Sequence, residues 1–68
     1  SQQDYARARE WYEKAAAQGV AVAQFNLGSM YVKGQGVQQD ATTAKAMFGN
    51  ACENGLQEGC NAYRILSD

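Results

Sequence analysis

The chain has 68 residues, six Lys and Arg against seven Asp and Glu for a net charge of −1, two cysteines, and neither histidine nor proline. A chain this short buries only about 60% of the surface its unfolded form exposes, so one thin core is expected and a covalent staple would help it. The basic residues are scattered from Arg7 to Arg64 and form no basic stripe, and no apolar run approaches the roughly 18 residues of a membrane span; neither a nucleic-acid partner nor membrane insertion is expected.

Taken in order, the chain predicts four helices. The first is expected from Asp4, whose carboxylate can cap the opening turn, to about Gln18. Trp11, Tyr12, Ala15 and Ala16 share its apolar face, and Trp11 and Tyr12 read as core. Arg9 with Glu13, and Glu10 with Lys14, stand at ion-pair spacing on a solvated face. Gly19 ends this helix by taking the left-handed conformation. The second helix is predicted from about Val20 to Lys33, with Ala23, Leu27, Gly28 and Tyr31 inward. Gly34-Gln35-Gly36 forms a loop with Val37 as an apolar plug beneath it. Asp40 caps a third helix running to about Asn54, which buries Ala44, Met47, Phe48 and Ala51 and ends at Gly55. A fourth helix follows from about Gln57 to Leu66. No strand-like alternation of β-branched residues occurs, so the class is all-α.

The chain repeats itself at an offset of 36 residues: Ser1-Gln2-Gln3-Asp4 returns as Val37-Gln38-Gln39-Asp40, and Ala8, Tyr12, Ala15 and Gly19 pair with Ala44, Phe48, Ala51 and Gly55. A period in this range signals stacked helical repeats. The small residues on the apolar faces allow close helix approach, and aromatic rings fill the remaining space. The expected architecture is an α/α superhelical solenoid fragment of four antiparallel helices, a single domain over 1–68 with hairpins at about 4–33 and 40–66.

Cys52 lies three residues before Gly55 and Cys60 five after it, so both sit about one turn from the hinge of an antiparallel pair and can face each other. A disulfide there would close a short loop, worth somewhat under 3 kcal/mol in the chain-entropy model. Two reduced, buried thiols are the alternative reading. A redox-active pair would have tighter spacing and a metal site more ligands, so neither a metal nor a cofactor is implied.

The run Gly19-x3-Ala23-x3-Leu27-Gly28-x2-Tyr31-x2-Gly34-x-Gly36-Val37-x2-Asp40-x3-Ala44 resembles the Sel1-like repeat, a relative of the tetratricopeptide repeat. The stretch from Asp4 to Ala16 is similar to the second helix of a preceding unit. The segment Ala51-Cys52-x6-Gly59-Cys60 resembles the cysteine-rich branch of that family, in which such a pair bridges neighbouring helices. The pattern fades at the end, where Leu27-Gly28 has become Tyr63-Arg64 and Tyr31 has become Ser67. Helix four is therefore expected to be a terminal cap, Ser1-Gln2-Gln3 the tail of an earlier loop, and the chain the C-terminal piece of a longer array.

The resemblance implies protein–protein scaffolding, often in bacterial or secretory-pathway proteins. Nothing points to an enzyme. No imidazole is available to activate Cys52 or Cys60, and none of Ser1, Ser29 and Ser67 begins a Ser-x-x-Lys, so the β-lactam chemistry linked to some cysteine-rich relatives finds no residues here. By similarity to tetratricopeptide repeats, helices two and four should line the concave face. The groove positions are then Val22, Phe25, Asn26, Ser29, Val32 and Lys33, with Glu58, Asn61 and Ile65 from helix four. An exposed Phe25 beside Asn26 and Asn61 would suit a protein or peptide ligand; packing of Phe25 on a neighbouring repeat is the equal alternative. The rivals are a structural capping repeat with no binding of its own and, behind it, a β-lactam-binding relative. Self-association through an exposed edge at Tyr5 and Trp11 is a further expectation. A bridged Cys52 and Cys60 would place the chain in the periplasm, the secretory lumen or the extracellular space, and free thiols in the cytoplasm.

Overall fold

A computed structural model describes all 68 residues and contains four helices: α1 (Gln2–Ala17), α2 (Ala21–Lys33), α3 (Ala41–Glu53) and α4 (Gln57–Ser67). Each packs chiefly on its neighbours in sequence, α2 on α3 most extensively. The result is a slab of 30 × 26 × 14 Å in which each helix contacts mainly its sequence neighbours, as in stacked repeats.

Two of the three connections use one device. After α1, the Val20 N–H donates to Ala15 O and the Gly19 N–H to Ala16 O; after α3, Leu56 donates to Ala51 O and Gly55 to Cys52 O. These are Schellman closures, and they need a left-handed residue at the glycine, where φ is +83° for Gly19 and +97° for Gly55. The third connection is longer and is stitched to α1. Gly36, also at positive φ, brings its N–H to Gln2 Oε1 (2.9 Å), and a Cβ there would strike the backbone of Tyr5 and Ala6. Gln35 Nε2 donates to Tyr5 Oη, Gln39 Nε2 to Val32 O, and the Asp40 N–H to Tyr31 O. Val37 is half-buried in this loop.

Asp40 caps α3 as expected: its carboxylate accepts from the Thr43 N–H (3.2 Å) and the Thr43 hydroxyl (2.7 Å). The start of α1 differs from expectation. Gln2 and Gln3 are helical, Ser1 is the N-cap, and its hydroxyl accepts from the Asp4 N–H. Asp4 is instead the third helical residue, reaching back to the Ser1 backbone nitrogen in a capping box. The Ser1 hydroxyl thus shifts the boundary by three residues. The ion pairs expected along α1 are also absent. The only ion pair in the chain joins Ser1 and Asp4; Lys14 lies over the Trp11 ring, and Arg9 Nε is buried without a partner. Cation–π contact with an adjacent ring competes with a solvent-exposed pair that is worth little.

The core is formed by Ala23, Leu27 and Met30 of α2 and Ala44, Phe48 and Ala51 of α3, with Met47 half-buried. The Phe48 ring sits against Gly28, where an added Cβ would come within 2.7 Å of it, and tilts against Phe25 with ring centroids 5.2 Å apart. Trp11, expected in the core, is 70% exposed. It stands 36 residues before Met47, but α1 packs mainly on α2 alone, whereas α3 has a neighbour on either side.

One buried side chain joins three helices. Gln24 is 5% exposed; its Nε2 donates to Ala16 O (3.1 Å) and its Oε1 accepts from Asn54 Nδ2 (3.0 Å). Both polar ends are satisfied, so burial costs little and the register of α1, α2 and the end of α3 is specified. By the 36-residue offset, Ala16 and Gln24 correspond to Cys52 and Cys60. The structure joins those cysteines in a disulfide with Cα atoms 4.6 Å apart, within the usual range.

Replacing Gln24 by Met keeps the side-chain length and loses both polar ends. It is expected to lower the unfolding free energy in urea by about 1–3 kcal/mol. Gly59 and Gly49 should diverge. A Cβ at Gly59 would lie within 2.9 Å of Phe48 O and the Cys52 nitrogen, so Gly59→Ala is expected to cost about 2 kcal/mol or more. A Cβ at Gly49 meets only the ring of Tyr63, which is partly exposed and can move. Gly49→Ala should therefore be neutral or gain up to about 1 kcal/mol from helix propensity in the same urea titrations.

The Thr43 hydroxyl, and then the Thr43 N–H, hold the Asp40 carboxyl below its ordinary value. The folded value lies below the unfolded one, so the cap contributes fully above the ordinary range and is lost as pH falls through the folded value. An asparagine in its place would cap without titrating. Melts followed by circular dichroism should show the wild type losing Tm relative to Asp40→Asn as the pH falls below about 4, the ordinary carboxylate range.

Candidate protein-interaction surface

Four open recesses mark the surface. The first lies on α2 between α1 and α3, with Leu27, Tyr31 and Met47 as its apolar part and Glu13, Thr43 and Asn50 at its edge. The second runs between α1 and α2 and is lined by Tyr5, Ala8, Tyr12, Asn26, Ser29 and Gln35, with Met30 beneath. The third lies along α3 and α4 beside Gly49, Cys52 and Tyr63. The last lies at the C-terminal end of α4, lined by Asn61, Arg64, Ile65 and Asp68.

The cleft between α1 and α2 follows from two helical stripes. Tyr5, Ala8 and Tyr12 are spaced three and four apart on α1, and Asn26 and Ser29 three apart on α2. The loop after α2 fixes the rim, since Gln35 donates to Tyr5 Oη at 3.2 Å. Neither Asn26 nor Ser29 spends its side chain on another residue, and both are half-buried beside the tyrosine rings. The lining holds no charged side chain. Asn26 can therefore offer an amide donor and an amide acceptor at once, on an uncharged wall shared with two tyrosines, Ser29 and Gln35.

The positions expected to form one groove across α2 and α4 separate in the structure. Val22 is 56% exposed on α2, and Val32 and Lys33 are exposed at that helix's C-terminal end. Phe25 is not the exposed ring expected; it is half-buried against Phe48. Asn61 is exposed, but its Oδ1 already accepts from Gln57 Nε2 (3.2 Å) and Arg64 Nη2 (2.6 Å). Ile65 is 72% exposed and shares the C-terminal end of α4 with Arg64 and Asp68; Glu58 is exposed in the first turn of that helix. Of the expected set, Asn61 and Ile65 meet in the recess at the C-terminal end of α4, and Asn26 and Ser29 in the separate one between α1 and α2. Their companions Tyr5, Tyr12 and Gln35 were not anticipated, although the spacing of Tyr5, Ala8 and Tyr12 marks a common face.

Tyr63 rests on α3 over Gly49, with Lys45 Nζ 5.2 Å from its ring centroid, and borders the same recess as Cys52. Arg64, at the position of Gly28 in the first unit, is exposed. No three His, Cys, Asp or Glu side chains come together, and no helix is long and apolar enough to cross a membrane.

Comparison with known proteins agrees with this architecture. The family model for the Sel1 repeat matches residues 1–20 and 21–56. No curated protein and no solved structure matches significantly. Sel1 repeats are tetratricopeptide-like and serve in general as non-catalytic modules of protein–protein interaction. The second matched segment spans α2 and α3, the two helices that build the core, and the first spans α1. With most of its length matched, two helices of its core included, the chain belongs to the Sel1 repeat family.

Proposed function

We propose that this chain is a scaffold module that holds an extended segment of a partner protein in the cleft between α1 and α2. The observation that carries the reading is the unengaged amide of Asn26, half-buried in a recess that Tyr5, Tyr12 and Ser29 also line. An amide so placed can accept from a backbone N–H and donate to a backbone C=O of an extended chain. The tyrosines supply rigid contact area at small entropic cost. An uncharged lining favours apolar or small side chains on the partner over acidic or basic ones.

The module performs no chemistry in this reading; it positions a partner. The disulfide is compatible with an oxidising compartment, and the periplasm, secretory lumen or extracellular space is the proposed setting. A capping role for α4 is compatible with binding at α1 and α2. It is supported by the exposed Tyr63 and Arg64, which stand where Leu27 and Gly28 are buried in the first unit.

Peptides selected from a displayed random library on the immobilised, oxidised chain provide the probe. Calorimetric titration of those peptides should show Asn26→Ala weakening binding by about tenfold, the scale of one or two well-placed hydrogen bonds. Asn61→Ala should leave affinity unchanged, because its amide oxygen is already occupied within α4. Undiminished binding by Asn26→Ala, with an unaltered melting curve, would overturn the assignment of the cleft.

A further inference from the structure

The four helices are not tied together in the same way. Side-chain hydrogen bonds cross between α1, α2, α3 and the loop before α3: Gln24 to Ala16 O, Asn54 to Gln24, Gln35 to Tyr5, the Gly36 N–H to Gln2, and Gln39 to Val32 O. None crosses to α4. Every side-chain hydrogen bond made by α4 stays within it or with the residue before it, as in Gln57 to Asn61, Arg64 to Asn61 and Ser67 to Tyr63 O. Its one fully buried residue is Gly59, which contributes no side chain to the core. Eleven residues is also shorter than the roughly 12–15 at which an isolated helix becomes even marginally stable in water. Beyond the Schellman turn, α4 is held by van der Waals contact at Gly59, by the half-buried Ala62 and Leu66, by Tyr63 resting on Gly49 and Lys45, and by the Cys52–Cys60 bond.

We propose that the Cys52–Cys60 disulfide is a redox latch for α4 alone: a dithiol reductant releases this helix while α1, α2 and α3 stay folded. The bond is placed for exchange. Both cysteines are half-buried, and Cys52 lines the open recess beside Gly49, Asn50, Glu53 and Tyr63. A thiolate of the dithiol attacks Cys52 Sγ, forms a mixed disulfide and displaces Cys60 as its thiolate. The second sulfur of the dithiol then closes on the first, forming the reductant's own disulfide and releasing Cys52. Two electrons pass to the protein disulfide, and the dithiol's two protons end on the two cysteine thiols.

The first hairpin has no such lever. At the equivalent register it uses the Gln24 side chain and Ala16 O, which a thiol cannot break. Release of α4 would uncover the strip of α3 from Phe48 to Cys52 on which Gly59 sits, changing the surface of the C-terminal hairpin without touching the α1–α2 cleft. The latch rests on how α4 is attached and goes beyond the proposed binding role.

Hydrogen exchange read by mass spectrometry tests it on the whole chain, oxidised and in excess dithiothreitol, beside the Cys52→Ala, Cys60→Ala double variant. Amides of Gln57–Ser67 are expected to exchange on the order of tenfold faster or more in the reduced chain and the double variant, as closure entropy is returned to so short a loop. Those of Leu27–Met30 should change by less than about threefold, and reoxidation should restore α4 in the wild type. Unchanged protection of α4 would show that packing holds it without the bond. Loss of protection in all four helices together would show a global staple. Either result overturns the latch.

Discussion

The hairpins depend on a tie between the last turn of one helix and the first turn or so of the next. A Schellman closure at Gly19 or Gly55 reverses the chain, but it sets only the local path of the backbone. Something must then hold the two helices in one register. Between α1 and α2 that tie is Gln24 on Ala16 O; between α3 and α4, at the same register 36 residues on, it is the Cys52–Cys60 bond. The two solutions differ in reach. The amide of Gln24 has a second end and uses it on Asn54, linking three helices, whereas the disulfide links two. They also differ in cause. The hydrogen bonds are strong because the group is buried and fully satisfied, while the disulfide acts largely by restricting the unfolded chain.

Close approach between helices does the rest, and it rests on absent side chains as much as on present ones. Gly28 leaves room for the Phe48 ring, and that ring in turn supports Phe25. Gly59 lets α4 lie on the backbone of α3 near Phe48 and Cys52. In a slab 14 Å thick few side chains can be fully enclosed, so the core consists of alanines, a leucine, a methionine and one phenylalanine. A larger residue at either contact would push the packed helices apart.

The same thinness shapes the surface. A stacked array leaves clefts wherever two helices diverge over a third, and the cleft between α1 and α2 is floored by small and apolar residues with aromatic walls. Asn26 and Ser29 were legible as outward positions of α2 because the inward ones, Ala23, Leu27 and Tyr31, occupy the opposing register. Their tyrosine companions were not, because they belong to another helix and only docking reveals which faces meet. Phe25 and Asn61 show the converse error. They occupy equivalent positions 36 residues apart, yet Phe25 reaches the Phe48 ring and Asn61 turns to Gln57 and Arg64. Periodicity assigns a face; the neighbour on that face decides whether a ring is exposed.

What the sequence determined by itself was the local order of the chain. Glycines at 19, 34 and 55 ended helices, Asp40 capped α3, the apolar spacing defined the faces, and Cys52 and Cys60 stood close enough to the hinge at Gly55 to be bridged. All of these are settled by interactions within a few residues or across one tight turn, where spacing alone carries the geometry. Only the tertiary structure decided that Trp11 faces solvent while Met47 is half-buried at the same register. It alone showed that Gln24 binds three helices and that α4 makes no side-chain hydrogen bond to the others. The reason is physical: the environment of a side chain on a repeat is fixed by how many helices flank it, and that number changes from one end of a stack to the other while the sequence motif stays nearly the same.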